Sequence, residues 1–493
     1  MNLFIMQKKG LGMIERIVGL GIALLTVAGI AAAQKPNRSA PPPLGAPGTL
    51  SLPAIQKFKL SNGLPVVLME KRGVPIVQIN LLVKTGSAME ATDKAGVASM
   101  TAAMLDEGAG TRTALEVADA IDFLGARITT NAGQHTSVVA LHTPVSKLDA
   151  ALPLMGDIGM KPTFPVEELD RLRKERMTTL VQWHDQPGTI ASVAFSQTLY
   201  GSRHPYGVPS IGNEQSLRAM KVSDLKRFHD TYYNPNNVTL IVVGDVGKAE
   251  IEKKLESVFG GWKGRTTASV NWPDANQVER RAVYLIDKPG AAQSEIRIGR
   301  IGVPRMTQDY FPIIVMNTIL GGSFTSRLNQ NLREEHGYSY GAGSFFDMRP
   351  LPGPFMAYSA VQTNVTDSAL FEFFKEFRDI QKSMPEEEFE KAKNYIALGY
   401  PDNFESVGQI AGMLAEMITF NLPDNYFNTY VNKVLAVKKA DVEQVAREYV
   451  LSDKMAVIVV GDKAVIEKGI RGLKLGAVQL KSIEDILGPP PKL

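Results

Sequence analysis

The sequence predicts an α+β protein of two similar halves, each an antiparallel-rich sheet packed with helices. Three observations carry this. The run VTLIVVGD at Val238–Asp245 returns as MAVIVVGD at Met455–Asp462. The same spacing of 217 residues relates Asp224 to Asp441 and Tyr232 to Tyr449 without a gap. PVEEL at Pro165–Leu169 and PEEEF at Pro385–Phe389 each place a Pro at the first turn of a charged helix. Within each half strands come first, helices follow and one strand closes, which is α+β order rather than strict β-α alternation. The period is far too long for a solenoid unit.

Taken in order, residues 1–33 have the form of a signal peptide. Lys8, Lys9 and Arg16 precede the uncharged apolar run Ile17–Ala33, and Ala31-Ala32-Ala33 supplies small residues before Gln34. The run is 17 residues long, marginal for a membrane span, so a cleaved signal is favoured over a retained anchor. Export, to the bacterial periplasm, is the expectation. Residues 34–54 are Pro-rich and aperiodic, an extended tether.

The first half, 55–263, opens with alternating runs at Phe58–Glu70 and Ile76–Thr85, with Asn62-Gly63 as a turn signal. A helix follows from about Lys94. Thr113 and Glu116 form a capping box for a helix ending near Gly125. Strands are expected over Ala126–Asn131 and Thr136–Thr143. Helices are expected over Leu148–Asp157, from Pro165 to about His184, and over Val222–Tyr232 and Lys248–Phe259. The β-branched run before each Gly-Asp reads as a strand buried on both faces. Polar residues 264–279 join the halves. The second half, 280–480, carries Phe371, Phe373, Phe374 and Phe377 at near-helical spacing, a core stripe. Glu386, Glu387 and Glu388 open a helix, where the dipole favours acids. Residues 481–493 are a tail containing Pro489-Pro490-Pro491.

Composition removes several chemistries. There is no cysteine, which excludes disulfides, thiolate metal sites and a cysteine nucleophile. The formal charge of +3 is too balanced for a nucleic-acid footprint. It becomes +1 once Lys8, Lys9, Arg16 and Glu15 leave with the signal. Any metal site must draw on six histidines: His135, His142, His184, His204, His229 and His336. Their spacing offers no ligand set, and Glu107, in a DEG turn, lacks partners.

The chain resembles the pitrilysin/insulinase-type metallopeptidases. The resemblance rests on KLSNGLPVVLME, the helix after Lys94-Ala95-Gly96, DFLGARITTNA, YYNPNNVTLIVVGDV, GGSFTSRLNQNLREEHGYSY and the closing IVVGD. It covers about 55–480 and implies that family's duplicated fold. The family's signature is H-x-x-E-H, two histidines one turn apart holding zinc and a Glu activating the bound water. Aligning Ala95-Gly96 puts Ser99 at the first His, Ala102 at the Glu and Ala103 at the second His. Counting back from WHDQP puts Thr179 at the remaining zinc ligand and Leu172 at a supporting Glu. None keeps its chemistry, so the resemblance implies no metal in this chain and no catalytic residue of its own.

The second half keeps more. Gly321-Gly322-Ser323 reads as a loop into a helix capped by Ser323, running to about Glu335 and ended by Gly337, with a strand from about Tyr338. In the resembled family an Arg and a Tyr seven residues apart on this element hold the substrate; Arg333 and Tyr340 match them. The implied role is that of a non-catalytic subunit. It would pair as a heterodimer with a homologue that holds zinc through H-x-x-E-H, and would lend Arg333 and Tyr340 to peptide hydrolysis. A structural or peptide-binding scaffold without a proteolytic role is the alternative.

Overall fold

The computed structural model describes residues 50–267 and 270–492. The predicted signal peptide and most of the tether lie outside them. Two six-stranded sheets organise the chain. The first contains β1 (Ile55–Lys59), β2 (Pro65–Glu70), β3 (Ile76–Val83), β6 (Arg127–Ala132), β7 (Ser137–Pro144) and β8 (Val238–Gly244). Its order is β1-β2-β8-β3-β7-β6, antiparallel except for the parallel pair β2–β8. A two-stranded hairpin, β4 (Gly108–Ala109) with β5 (Arg112–Thr113), stands apart. The second sheet contains β9 (Ala282–Asp287), β10 (Gln293–Ile301), β11 (Ser339–Phe346), β12 (Pro354–Gln362), β13 (Ala456–Gly461) and β14 (Ala477–Lys481). Its order is β11-β12-β10-β13-β9-β14, with β9 parallel to both β13 and β14.

Read from opposite edges, five strands correspond: β2 with β9, β8 with β13, β3 with β10, β7 with β12 and β6 with β11. The duplicated VVGD strands β8 and β13 are central and buried along their whole length. The sixth strand differs. The first sheet ends in β1, which hairpins onto β2 through Asn62-Gly63, with Gly63 at φ +85. The second ends in β14, a C-terminal strand within a stretch read from sequence as the close of the half and the start of a tail.

The helices used below are α1 (Val97–Ala103), α2 (Val166–Trp183), α3 (Pro187–Tyr200), α4 (Thr366–Asp379), α5 (Glu386–Gly399) and α6 (Val407–Thr419). The halves exchange one helix each. First-half α3 lies on β10 and β13 of the second sheet, and second-half α6 lies on β3 and β8 of the first. Ile190, Ala194 and Phe195 share a core with Ile286, Ile458 and Val460. Ile410 and Leu414 share one with Leu82, Ile241 and Val243. Gly299 allows the approach: a Cβ there would come within 2.9 Å of the Phe195 ring and 1.9 Å of the Phe355 carbonyl. Each sheet therefore needs the other half to cover one face, which ties the halves by hydrophobic burial.

Three local readings are corrected. Ser323 is extended and turns its hydroxyl back to the Thr318 carbonyl at 3.1 Å, so it caps nothing ahead of it. Helix starts only at Arg327 and widens after Gln330, where the His336 N–H donates to the Asn331 carbonyl five residues back. The buried amide of Asn331 holds this wide turn by donating to Glu372 Oε2 at 2.8 Å and Glu376 Oε1 at 2.7 Å on α4. Phe373, Phe374 and Phe377 are buried, but Phe371 falls on the outer face of α4 and is 51% exposed. Glu388 answers to more than the dipole: both its oxygens take Arg327, at 2.8 and 2.5 Å.

Candidate functional site

α1 begins where the chain closes on the loop at Ile211–Gly212. Gly96 has φ +90, and a Cβ there would sit 2.6 Å from the Ile211 carbonyl. The first N–H groups of a helix have no partner within it. Here Glu90 supplies one, accepting from Gly96 N at 2.9 Å and Ala98 N at 2.7 Å. Its carboxylate is turned inward onto this backbone, and burial pushes its pKa up to about 8 against the pull of the two N–H groups and Arg176.

Ser99 lies one turn into α1. Its hydroxyl donates to the Ser210 carbonyl at 2.6 Å and accepts from Arg176 Nη1 at 2.9 Å. Arg176 Nη1 also faces the carbonyls of Gly96 at 3.3 Å and Ile211 at 3.4 Å. Arg176 is on α2, four residues after Leu172 and three before Thr179, so the three share a helix face. Burial pushes Arg176 down to about 10, opposed by Glu90. Ala102 is buried and Ala103 half-buried. Thr179 bonds only within its helix, to the Glu175 carbonyl at 3.0 Å. A guanidinium thus rests against the Ser99 position, from the face where the resemblance places two acids.

These residues do not fit zinc. A hydroxyl already engaged on both sides, two methyl groups and a threonine turned to its own backbone offer no ligand set, and a fixed cation stands beside them. Among the described residues no group of three His, Asp or Glu is placed to hold a metal ion. The histidines are engaged; His135 and His204 both pack against the Tyr206 ring, and among the described residues no third ligand group joins them. His135 meets the Tyr206 hydroxyl at 2.5 Å, and burial pushes it down to about 4. His142 faces Gln78, His204 accepts from Tyr206 N, His229 faces the Gly159 carbonyl, and His336 faces Asn331. His184 lies between two carbonyls, Leu180 and Gly488. Glu107 pairs with Arg171.

The second-half element is built differently. Gly337, at φ +64, ends the wide helical turn that carries Arg333. Arg333 lies over the exposed Phe324 ring, 4.6 Å from its centroid, and its ion pair with Glu334 is long, 3.5 Å. Tyr340 is 92% exposed on the edge strand β11. The register with β12 shifts between Ser339 and Ala342, a bulge that re-aims the side chain there. Among the described residues neither Arg333 nor Tyr340 forms a hydrogen bond or ion pair with the first half.

Two family models match the chain: "Insulinase (Peptidase family M16)" over residues 66–201 and "Peptidase M16 inactive domain" over residues 219–396. Together they span more than half of it. The chain belongs to the pitrilysin/insulinase-type metallopeptidase family. Relatives named as uncharacterized zinc proteases agree. One from Rickettsia bellii is 23% identical over 81% of this chain and 96% of its own length. One from Mycobacterium leprae is 28% identical over 61% and 68%. A solved structure described as a peptidase M16 inactive domain from Pseudomonas fluorescens is 27% identical, with a TM-score of 0.77 over 83% of this chain and 98% of that one. A protease from Helicobacter pylori shares the fold, with a TM-score of 0.77 at 21% identity over 83% and 100%. Within this family the present chain lacks the H-x-x-E-H motif.

Sequence reasoning passed over Glu90 and Arg176. Arg176 carried a signal, since a charge four residues after Leu172 and three before Thr179 must share their helix face. Nothing in sequence marks Glu90, because its role depends on a loop returning to α1.

Proposed function

We propose that this chain is a non-catalytic subunit of a zinc peptidase. It pairs with a homologue bearing H-x-x-E-H, which supplies the zinc, and contributes Arg333 and Tyr340 to peptide binding. The carrying observation is the contrast between the two candidate elements. The first-half element is closed with Arg176 against Ser99, while Arg333 and Tyr340 are held outward on a wide turn and a bulge. A guanidinium offers paired donors to peptide carbonyl or carboxylate oxygens. A phenol can donate to an oxygen where charge develops during attack on a peptide. The matching chemistry on the partner is zinc-bound water. The basic, apolar N-terminal segment supports export to the periplasm as the place of action.

The test is co-expression with an H-x-x-E-H homologue and assay of peptide cleavage. Arg333→Ala with Tyr340→Ala is expected to lower kcat/KM about 100-fold, roughly 2.7 kcal/mol of transition-state stabilisation. Wild-type cleavage by the double variant would refute the assignment.

A further inference from the structure

One buried side chain joins the loop beneath Arg333 to the bulge that carries Tyr340. Asn329 ends the helical turn Arg327–Asn329 and is 5% exposed. Its Nδ2 donates to the Phe324 carbonyl at 2.7 Å, and its Oδ1 accepts from Ala342 N at 3.2 Å. A main-chain oxygen needs a donor and a main-chain N–H needs an acceptor, so the two unlike ends of an amide serve both.

Each end reaches one member of the Arg/Tyr pair. Tyr340 and Gly341 lie within the register shift of β11, where a bulge interrupts the ladder. The peptide unit that follows Tyr340 and Gly341 is held at both of its polar atoms. Buried Ser359 on β12 donates through Oγ to the Gly341 carbonyl at 2.8 Å, and Asn329 takes the Ala342 N–H. That fixes a peptide plane next to Tyr340. At the other end Asn329 pins the backbone of Phe324. The Phe324 ring is 63% exposed and joins none of the hydrophobic cores, so folding does not account for its place. The Arg333 guanidinium lies 4.6 Å from its centroid. An aromatic face holds a guanidinium by its flat side and leaves the N–H edge free for a peptide oxygen.

We propose that Asn329 is the positioning residue of the Arg333–Tyr340 pair, acting on Arg333 through the Phe324 ring and on Tyr340 through the bulge. This rests on the reading of that pair as peptide-binding. A single amide then sets the guanidinium edge and the phenol in one fixed relation, although they stand on a turn and on a strand.

The test uses the full chain co-expressed with an H-x-x-E-H homologue. Phe324→Leu keeps an apolar side chain but removes the ring face. It is expected to lower kcat/KM about fivefold and to leave the melting temperature unchanged. Phe324→Tyr keeps the ring and is expected to recover most of that loss. In an Arg333→Ala chain, Phe324→Leu is expected to cause no further loss, because it acts through Arg333. Asn329→Asp keeps the acceptor for Ala342 N and loses the donor to Phe324, so it is expected to reproduce the Phe324→Leu loss and to be equally silent without Arg333. Asn329→Ala loses both ends and is expected to lower kcat/KM at least tenfold. In the free chain it is expected to speed hydrogen exchange at Ala342. If Asn329→Ala does not fold, the Asn329→Asp and Phe324 comparisons decide. The proposal is overturned, and the reading of the pair left standing, if Phe324→Leu costs as much without Arg333 as with it. The same holds if both Asn329 variants cleave at the wild-type rate. If the chain with Arg333→Ala and Tyr340→Ala itself cleaves at the wild-type rate, both fall.

Discussion

The two halves share five strands and their order, yet their functional elements have diverged in opposite directions. On α1 of the first half, small side chains stand where the resemblance places the zinc motif, and Arg176 closes against Ser99. On the second half, Tyr340 is exposed and Arg333 half-exposed, although the turn and the bulge that carry them bury Leu332 and Ala342 in the core. The difference follows from burial. A polar pocket inside a fold must satisfy its donors, acceptors and charges by itself once a metal is no longer held. An exposed tyrosine carries no such obligation, so its placement is not dictated by folding.

The sharpest way to break this contrast is to rebuild the ligands. Ser99→His, Ala102→Glu, Ala103→His and Thr179→Glu together restore the family's set, but Arg176 remains. A dication about 4 Å from a guanidinium is opposed by about 8 kcal/mol at an effective dielectric of 20. The four-residue variant is therefore expected to purify without stoichiometric zinc, and the same variant with Arg176→Ala to take up one zinc per chain. Metal analysis by mass spectrometry reads both. Stoichiometric zinc with Arg176 in place would show that the arginine does not close the site.

The next test concerns Glu90. Its folded pKa, about 8, lies above the ordinary value of 4.5, so the folded chain holds a proton that the unfolded chain releases over that interval. Stability from this group is complete below about pH 4.5 and is lost as pH rises through about 8. Arg176, pushed down only to about 10, stays charged throughout. At about 1.4 kcal/mol per unit, the loss reaches a few kcal/mol. Glu90→Gln is expected to flatten the stability profile between pH 5 and 8 in urea titrations. An unchanged slope would mean that the carboxyl is ionised in the fold.

Much of this architecture was legible in the chain. The offset that joins Val238–Asp245 to Met455–Asp462 located the central strand of both sheets, because a strand buried on both faces must be a continuous apolar run. Asn62-Gly63 marked its hairpin because the turn demands a positive φ. The helix exchange was not legible. The apolar faces of α3 and α6 announce burial but carry no label for which sheet they meet. Ser323 misled for a related reason: the helix starts four residues later, at Arg327, so no first-turn N–H lies in reach of its oxygen, and the hydroxyl donates back to Thr318. Phe371 follows the stripe in sequence yet lies outside it, since a spacing of two residues places it about 200° from Phe373 on a helix.

The smallest expected effects separate Ser99 from Thr179, two of the three positions where the resemblance places a zinc ligand. Ser99 joins Arg176 to the Ser210 carbonyl, so Ser99→Ala removes one partner from each and leaves part-buried polar groups underused. A loss of about 1–2 kcal/mol is expected. Thr179 bonds only to its own helix, and Thr179→Ala exchanges a β-branched residue for the best helix former. That change is expected to stay within about 0.5 kcal/mol. Urea midpoints at constant m-value decide the matter. If Thr179→Ala proves the more damaging, then closure of the vacated site runs through α2 near Thr179 rather than through the contact between Arg176 and Ser99.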